Sequence, residues 1–521
     1  MEAARTYFGD RFVSYCINAS AESLDSIDMS AAQLAAIGNL EFIANRAKSN
    51  GNDFSIHLAR ADVMRYVNES AVSIPNALRE SCGGSVNRRD SSDPLEEALL
   101  EIASSSYPAT LFPAPSPETP ADLSSMITSS LAFQRPSSKP ISQLILGDPS
   151  LVKLFPGAPP AEEYEGVGFD ITSMIYWSTG TGASIQLGSF ASSLLQTAKR
   201  GMSSTSTADD YFDLASKALQ DARSLARTRK AKTKALVGFS NVSLSAGSVI
   251  KLSGGSLRPF TFTDHHAFID PKNVQSVLEV DCDIEILGVE DESSADGKSS
   301  WDPYQRDLVK HQAELRRRVD LERLAILFSC EEAPHAPLGV ATTVINPISL
   351  NRAVSFSVHH SLSSHHPTLE IDSAAAARMV EWSTKISGSP ANLDMGMRRL
   401  LSAVSERFDP MDSFVDAVIC WENLFGTNQG EVGFRIAASI AHLLFPADSV
   451  ERRKLFEEVK RMYGIRSKLV HGSKEPDFLE AIKHRERSIE IAVDAFKALS
   501  GRADLLKVDS SGRGSLLLIG S

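Results

Sequence analysis

The sequence predicts a multidomain α+β protein: an N-terminal helical segment, a mixed α/β domain, and a C-terminal all-α helical bundle. Three observations predict it. The chain has 521 residues, room for two to four domains at roughly 150 residues each. One segment, VLEVDCDIEILGV, alternates apolar and acidic side chains with the period of a strand. From about Ala374 onward, apolar residues instead recur at three and four spacing through successive stretches, the period of packed helices. Hydrophobic residues make up 42% and charged residues 23%, ordinary globular usage that opposes a chain disordered or collagen-like overall.

Residues 1–82 read as helical, through MSAAQLAAIGNLEFIANRA and a polar break at KSNGND. Residues 83–165 shift to Ser and Pro, as in SSSYPATLFPAPSPETPADLSS, around one short helical stretch at DPLEEALLEIA, and read as an irregular connection. Residues 166–373 form a central mixed α+β domain for sensing or recognition, with a helix expected over ADDYFDLASKALQDARSLARTRKAKTKAL and strands on either side. In its clearest strand, Leu278, Val280, Cys282, Ile284 and Ile286 alternate with Glu279, Asp281, Asp283 and Glu285, so one face is buried and the other acidic. SGGS at 253–256 reads as a hairpin loop and STGTGAS at 178–184 as a turn, the latter lacking the Lys-Ser/Thr ending of a P-loop. Residues 374–505 form the bundle, jointed at Asp409 and Pro410, at Gly426 to Gly430, at Pro446 with Asp448 and Ser449, at Gly472 and at Pro476. Residues 506–521 remain as a C-terminal tail.

The net charge of -12, from 53 Lys+Arg against 65 Asp+Glu, excludes a histone-like coat for polyanions. Five scattered cysteines (Cys16, Cys82, Cys282, Cys330 and Cys420) with no CxxC pair oppose a disulfide framework or zinc ribbon and point to a reducing cytoplasm. The opening residues lack a signal-peptide pattern and no run of about 18 apolar residues occurs, so no membrane partner is expected. There is no GxSxG, HExxH or kinase signature. His359, His360, His365 and His366 would point to opposite faces of a strand and have no cysteine beside them, so neither they nor His265 and His266 are read as metal ligands. The acidic strand face reads as solvated, with a divalent cation or basic partner as the alternative. Arg223, Arg227, Arg229, Lys230, Lys232 and Lys234 read as a solvated helix end, with contact to an RNA backbone as the alternative, since no aromatic residues interleave with them.

A late stretch reads Tyr463-Gly464-Ile465-Arg466-Ser467-Lys468-Leu469-Val470-His471-Gly472, with Gly472 where a left-handed cap would close a helix. Five residues at about 100° each place Arg466 and His471 roughly 140° apart around an ideal helix. They meet on one ligand only if the helix end unwinds or a second copy contributes. Pairing two such ends about a two-fold axis would gather two arginines and two histidines into a cationic cleft suited to phosphate. The helix dipole also favours basic residues in a last turn whatever the function, so a plain cationic cap stays open at this point. Residues Glu451 to Ser500 hold 12 Lys and Arg against 9 Asp and Glu, placing positive charge around this motif in an acidic chain.

RRLLSAVSERFDPMDSFVDAVICWENLFG, a further helix, and then YGIRSKLVHG follow one another here in an order and spacing that include Asp416 and Glu422. Together they resemble a HEPN domain, more narrowly the ApeA-like HEPN group of bacterial defence proteins, whose motif corresponds to Arg466-Ser467-Lys468-Leu469-Val470-His471. The resemblance covers about Asp394 to Ser500. More weakly, LERLAILFSCEEAP and INPISLN resemble the strand-rich region that often precedes such a domain. The resemblance implies a cytoplasmic homodimer, metal-independent and without a cofactor, acting as an endoribonuclease in anti-phage abortive infection. Its substrate would be RNA, transfer RNA among the candidates, and a phage-derived trigger would release it. His471 would move protons and Arg466 would stabilise charge on the phosphorane oxygens, roles that suit imidazole and guanidinium. Ser467 would support Arg466, in place of the Asn or Asp common there in the wider superfamily. The alternative is a non-catalytic HEPN dimerisation module that binds RNA or a partner protein. A third reading places a metal on the acidic strand face.

Overall fold

A computed structural model describes residues 1–48, 55–67, 72–113, 124–135, 139–180, 182–203, 205–261, 264, 268, 271–291, 304–330, 339–348, 353–358, 368–427, 430–447, 449–472 and 476–519. Outside the described residues fall the expected polar break at 49–53, the Pro-rich run at 114–123, His265, His266, Asp448 and the histidines at 359, 360, 365 and 366. The chain is multidomain and α+β, and divides into two compact units, each built from several chain segments. Unit 1 holds Met1–Thr233, Asp283–Leu308 and Ile345–Ser355; unit 2 holds Lys234–Cys282, Val309–Val344 and Phe356–Ser521. Residues 166–373 therefore contribute to both.

In unit 1 the N-terminal segment is helical, as expected, from Glu2–Phe8 to Ile74–Ser81. The Ser- and Pro-rich stretch after it is more than a connection. Its helix Pro94–Ser106 is started by Asp93, whose carboxylate accepts from the Leu95 and Glu96 amides at 3.0 and 3.2 Å, with Pro94 in the first turn. Leu95, Ala98, Leu99, Leu100, Ile102 and Ala103 are all buried. The serines that suggested a linker are buried too, because a hydroxyl satisfies itself on nearby backbone: Ser104 donates to the Asn87 carbonyl at 2.8 Å and Ser106 to that of Ala103 at 3.3 Å.

The helix expected to run to Leu236 stops earlier, spanning Ala208–Thr228. Thr207 and Asp210 form a capping box at its start, and Arg229 ends it in the left-handed region at φ 58. Strand Lys230–Phe239 follows. The reason is legible afterwards: from Lys230 the sequence KAKTK alternates with period two, not 3.6, so the helical reading overran a change of period.

The alternating segment is a strand, Ser276–Asp291, with Leu278, Val280, Cys282, Ile284 and Ile286 buried as expected. In unit 1 its later half pairs antiparallel with Thr172–Trp177, which in turn pairs with Gly182–Gln186 across the expected turn. In unit 2 its first half pairs antiparallel with Gly255–Pro259, and Ala235 to Phe239 of the neighbouring strand pair antiparallel with Val344 to Gly339. SGGS does connect a hairpin, Ile250–Lys251 to Gly255–Pro259. A Cβ on Gly255 would lie 1.9 Å from the Glu279 carbonyl oxygen, so only glycine fits that approach.

The acidic face is not simply solvated. Glu279 accepts from Arg258 at 2.8 Å and Asp281 from Lys234 at 2.5 Å in unit 2, while Glu285 lies 3.9 Å from Lys230 in unit 1. Lys230 and Lys234, read as part of a helix end, are the cross-strand partners of Glu285 and Asp281.

Unit 2 also holds a parallel pair, Val242–Leu244 with Leu369–Ile371, and the helical bundle. Helices Ser373–Ile386, Asp394–Leu401, Pro410–Phe425, Val432–Leu444, Val450–Val470 and Phe478–Ser500 follow the expected order. LERLAILFS, expected within a strand-rich region, lies instead in the helix Tyr304–Ser329. Leu321, Leu324, Ala325 and Phe328 recur at helical spacing and join the same core as Phe414, Trp421, Ile440 and Phe496. The expected tail also belongs to the bundle: in helix Ser510–Ile519, Arg513 is fully buried and donates to the Leu424 and Leu505 carbonyls and to Asn392.

Candidate functional site

The helix that carries the motif, Val450–Val470, begins where Ser449 accepts from the Arg452 amide at 3.1 Å. It remains helical through Val470, with His471 as its capping residue at φ -90 and Gly472 beyond it at φ +75. The left-handed glycine is thus where the sequence placed it. Because the backbone does not unwind between Arg466 and His471, the separation expected on an ideal helix persists and the two side chains have different surroundings.

Arg466 is mostly buried. Its Nη2 donates to Glu422 Oε2 at 3.0 Å, and the Tyr463 hydroxyl donates to Glu422 Oε1 at 2.9 Å. Glu422 comes from Pro410–Phe425, so the site bridges two helices of the bundle. Burial and then the hydrogen bond to a carboxylate push the Tyr463 hydroxyl up to about 12. The remaining polar atom of interest is Arg466 Nε, which is buried and has no hydrogen-bond partner among the described residues. A guanidinium presents its N–H groups in a planar fork, so a fixed Nη2 leaves Nε in a fixed direction.

His471 is exposed, and among the described residues no hydrogen bond joins it to Arg466. Ser467 is half-buried; its carbonyl accepts from the His471 amide at 3.2 Å, and no hydrogen bond joins its hydroxyl to Arg466 among the described residues. The groups that orient Arg466 are therefore Glu422 and Tyr463. Glu422 was legible in the sequence pattern. Tyr463 was missed, although its position three residues before Arg466 puts both on one helical face, a signal available from spacing alone.

Asp416, the other carboxylate of the pattern, is elsewhere in function. It is 2% exposed and accepts from Arg399 Nη1 at 2.6 Å, Ser402 Oγ at 2.8 Å and Arg407 Nε at 2.6 Å. The arrangement is a brace in which both carboxylate oxygens are occupied, and pairing with Asp416 raises the Arg407 guanidinium further above its ordinary value.

Among the described residues no group of three or more His, Cys, Asp or Glu side chains is placed to hold a metal ion, and no helix is long and apolar enough to cross a membrane. Comparison with known protein families, with curated proteins and with solved structures gives no match for this chain.

Proposed function

We propose that the C-terminal bundle is a HEPN-type endoribonuclease of the ApeA-like group, metal-independent and assembled as a homodimer, acting as an RNA-cleaving effector of cytoplasmic anti-phage defence. The single observation that carries the reading is the geometry of Arg466: a guanidinium anchored on Glu422, with an Nε that has no partner among the described residues, five residues before an exposed histidine at a helix end. A guanidinium one-fifth exposed at a helix end is a fitting donor to a phosphate oxygen.

In this chemistry the ribose 2′-hydroxyl attacks the adjacent phosphorus as its proton passes to a histidine. A bond forms between the 2′-oxygen and phosphorus, and the bond to the 5′-oxygen breaks, that oxygen leaving with a proton. His471 serves the proton transfers and Arg466 the phosphorane oxygens. Since the two residues of one chain face different surroundings, the pair that acts on one phosphate draws on both copies. A phage-derived trigger acting through the rest of the chain is part of the same proposal.

The test is cleavage of total bacterial RNA, and of transfer RNA separately, in the presence of EDTA and with or without phage lysate, using wild type, Arg466→Ala and His471→Ala of confirmed fold and oligomeric state. Chelator-resistant cleavage reduced by about 100-fold or more in both variants supports the reading. Cleavage that needs a divalent ion, or survives both substitutions, overturns it. The second reading, a non-catalytic module that binds RNA or a partner protein, is favoured by the fact that Arg466 is already engaged by Glu422. It expects no cleavage by wild type and binding that persists in the two variants.

A further inference from the structure

The basic run of Arg223 to Lys234 is divided by the fold into residues with carboxylate partners and residues without. Arg223 is clamped between Asp93 at 2.6 Å and Asp148 at 2.7 Å. Lys230 and Lys234 pair across strands with Glu285 and Asp281. Arg227 and Arg229 have no ion pair among the described residues, and neither has Lys153, which arrives from a different part of unit 1. These three line one cavity of about 250 Å³, whose other walls are Leu154, Ala226, Ile286 and Val289. Among the described residues no carboxylate lines it.

Three cations around one small cavity repel one another and gain nothing from its apolar floor. The dipole of Ala208–Thr228 accounts for basic residues at that helix end, but not for Lys153, which the helix does not carry. Arg227 also lines a second cavity of about 610 Å³, which places the two side by side. The larger one has a different character, with Gln143, Gln220, Lys139 and Glu162 among its polar walls and the Asp93–Arg223–Asp148 clamp holding its shape. One cavity is suited to a compact anion and its neighbour to a polar organic body rich in hydrogen-bonding groups.

We infer that unit 1 binds a phosphorylated, hydroxyl-rich small molecule, its phosphate held by Lys153, Arg227 and Arg229 and its body in the adjoining cavity. Nucleotides and sugar phosphates share this chemistry. The inference stands on unit 1 alone and is independent of the nuclease reading of the bundle.

The test is isothermal titration of the full-length protein with AMP, ribose 5-phosphate, inorganic phosphate and adenosine, repeated for Lys153→Gln and Arg227→Gln. Both substituted side chains are exposed, so the fold is expected to persist, and the melting temperature without ligand checks this. The expected result is saturable binding of AMP or ribose 5-phosphate, weaker binding of phosphate, none of adenosine, and affinity lowered roughly tenfold in each variant. Tighter binding of AMP than of ribose 5-phosphate assigns a nucleotide; the reverse assigns a sugar phosphate. Absence of binding by every phosphorylated probe, or equal affinity in the wild type and both variants, overturns the inference, whatever the outcome of the RNA cleavage assay.

Discussion

Asp416 and Glu422 lie on the same helix, Pro410–Phe425, and both accept hydrogen bonds from arginine, yet their surroundings differ. Asp416 is buried and saturated, with Arg399, Ser402 and Arg407 all donating to it. Glu422 keeps a quarter of its side-chain surface exposed, and its arginine has a buried Nε with no partner among the described residues. A closed network holds helices together because opening it leaves a buried charge without its partners.

The strongest challenge to this distinction is Asp416→Ala. It removes the buried acceptor shared by two partly exposed arginines and a serine and should lower stability by about 3 kcal/mol, measured by urea denaturation at unchanged slope; a loss below about 1 kcal/mol would dissolve the contrast with Glu422. Gly472→Ala comes next, at about 1 kcal/mol. At φ +75 and with no atom of the described residues within 4 Å of an added Cβ, its cost is conformational and supplies the backbone scale at the motif's own helix end. Glu422→Gln keeps the shape of the side chain and should change stability by less than about 1 kcal/mol in the same denaturation series.

A pH titration sharpens the comparison with the smallest effect. Tyr463 has its folded value raised to about 12 from an ordinary 10.0. A group raised in the folded state contributes stability fully below its unfolded value and loses it as pH climbs through the folded one. Its contribution is therefore intact below pH 10 and fades between pH 10 and 12. The difference in tyrosinate absorbance between wild type and Tyr463→Phe should titrate near 12; a midpoint near 10 would remove burial and Glu422 as its environment.

Local chemistry made much of the bundle legible. Asp409 does cap its helix, accepting from the Met411 and Asp412 amides with Pro410 in the first turn, and Ser449 and Gly472 sit at the ends assigned to them. These signals act within one turn of chain, where a short side chain or a missing Cβ decides the backbone by itself. LERLAILFS was misread because a short apolar run fits a buried strand or a buried helix equally well, and its helical partners lie far along the sequence. The serines near 104–106 were misread for a related reason: composition records polarity, but not whether a hydroxyl finds a carbonyl.

By itself the sequence determined the helical character of the bundle, its joints, the buried face of Ser276–Asp291, and the placing of Arg466 and His471 at the end of one helix. Only the tertiary structure decided which charges are spent on each other. Among the described residues it set Lys230 and Lys234 against acids of a neighbouring strand, left Lys153, Arg227 and Arg229 together without one, and gave Arg466 to Glu422 with no partner for its Nε. Periodicity fixes the face on which a side chain stands, because it follows from bond geometry along one element. The partner met on that face depends on a second element brought up by packing, and electrostatic interactions fall within a few ångströms from decisive to negligible in solvent.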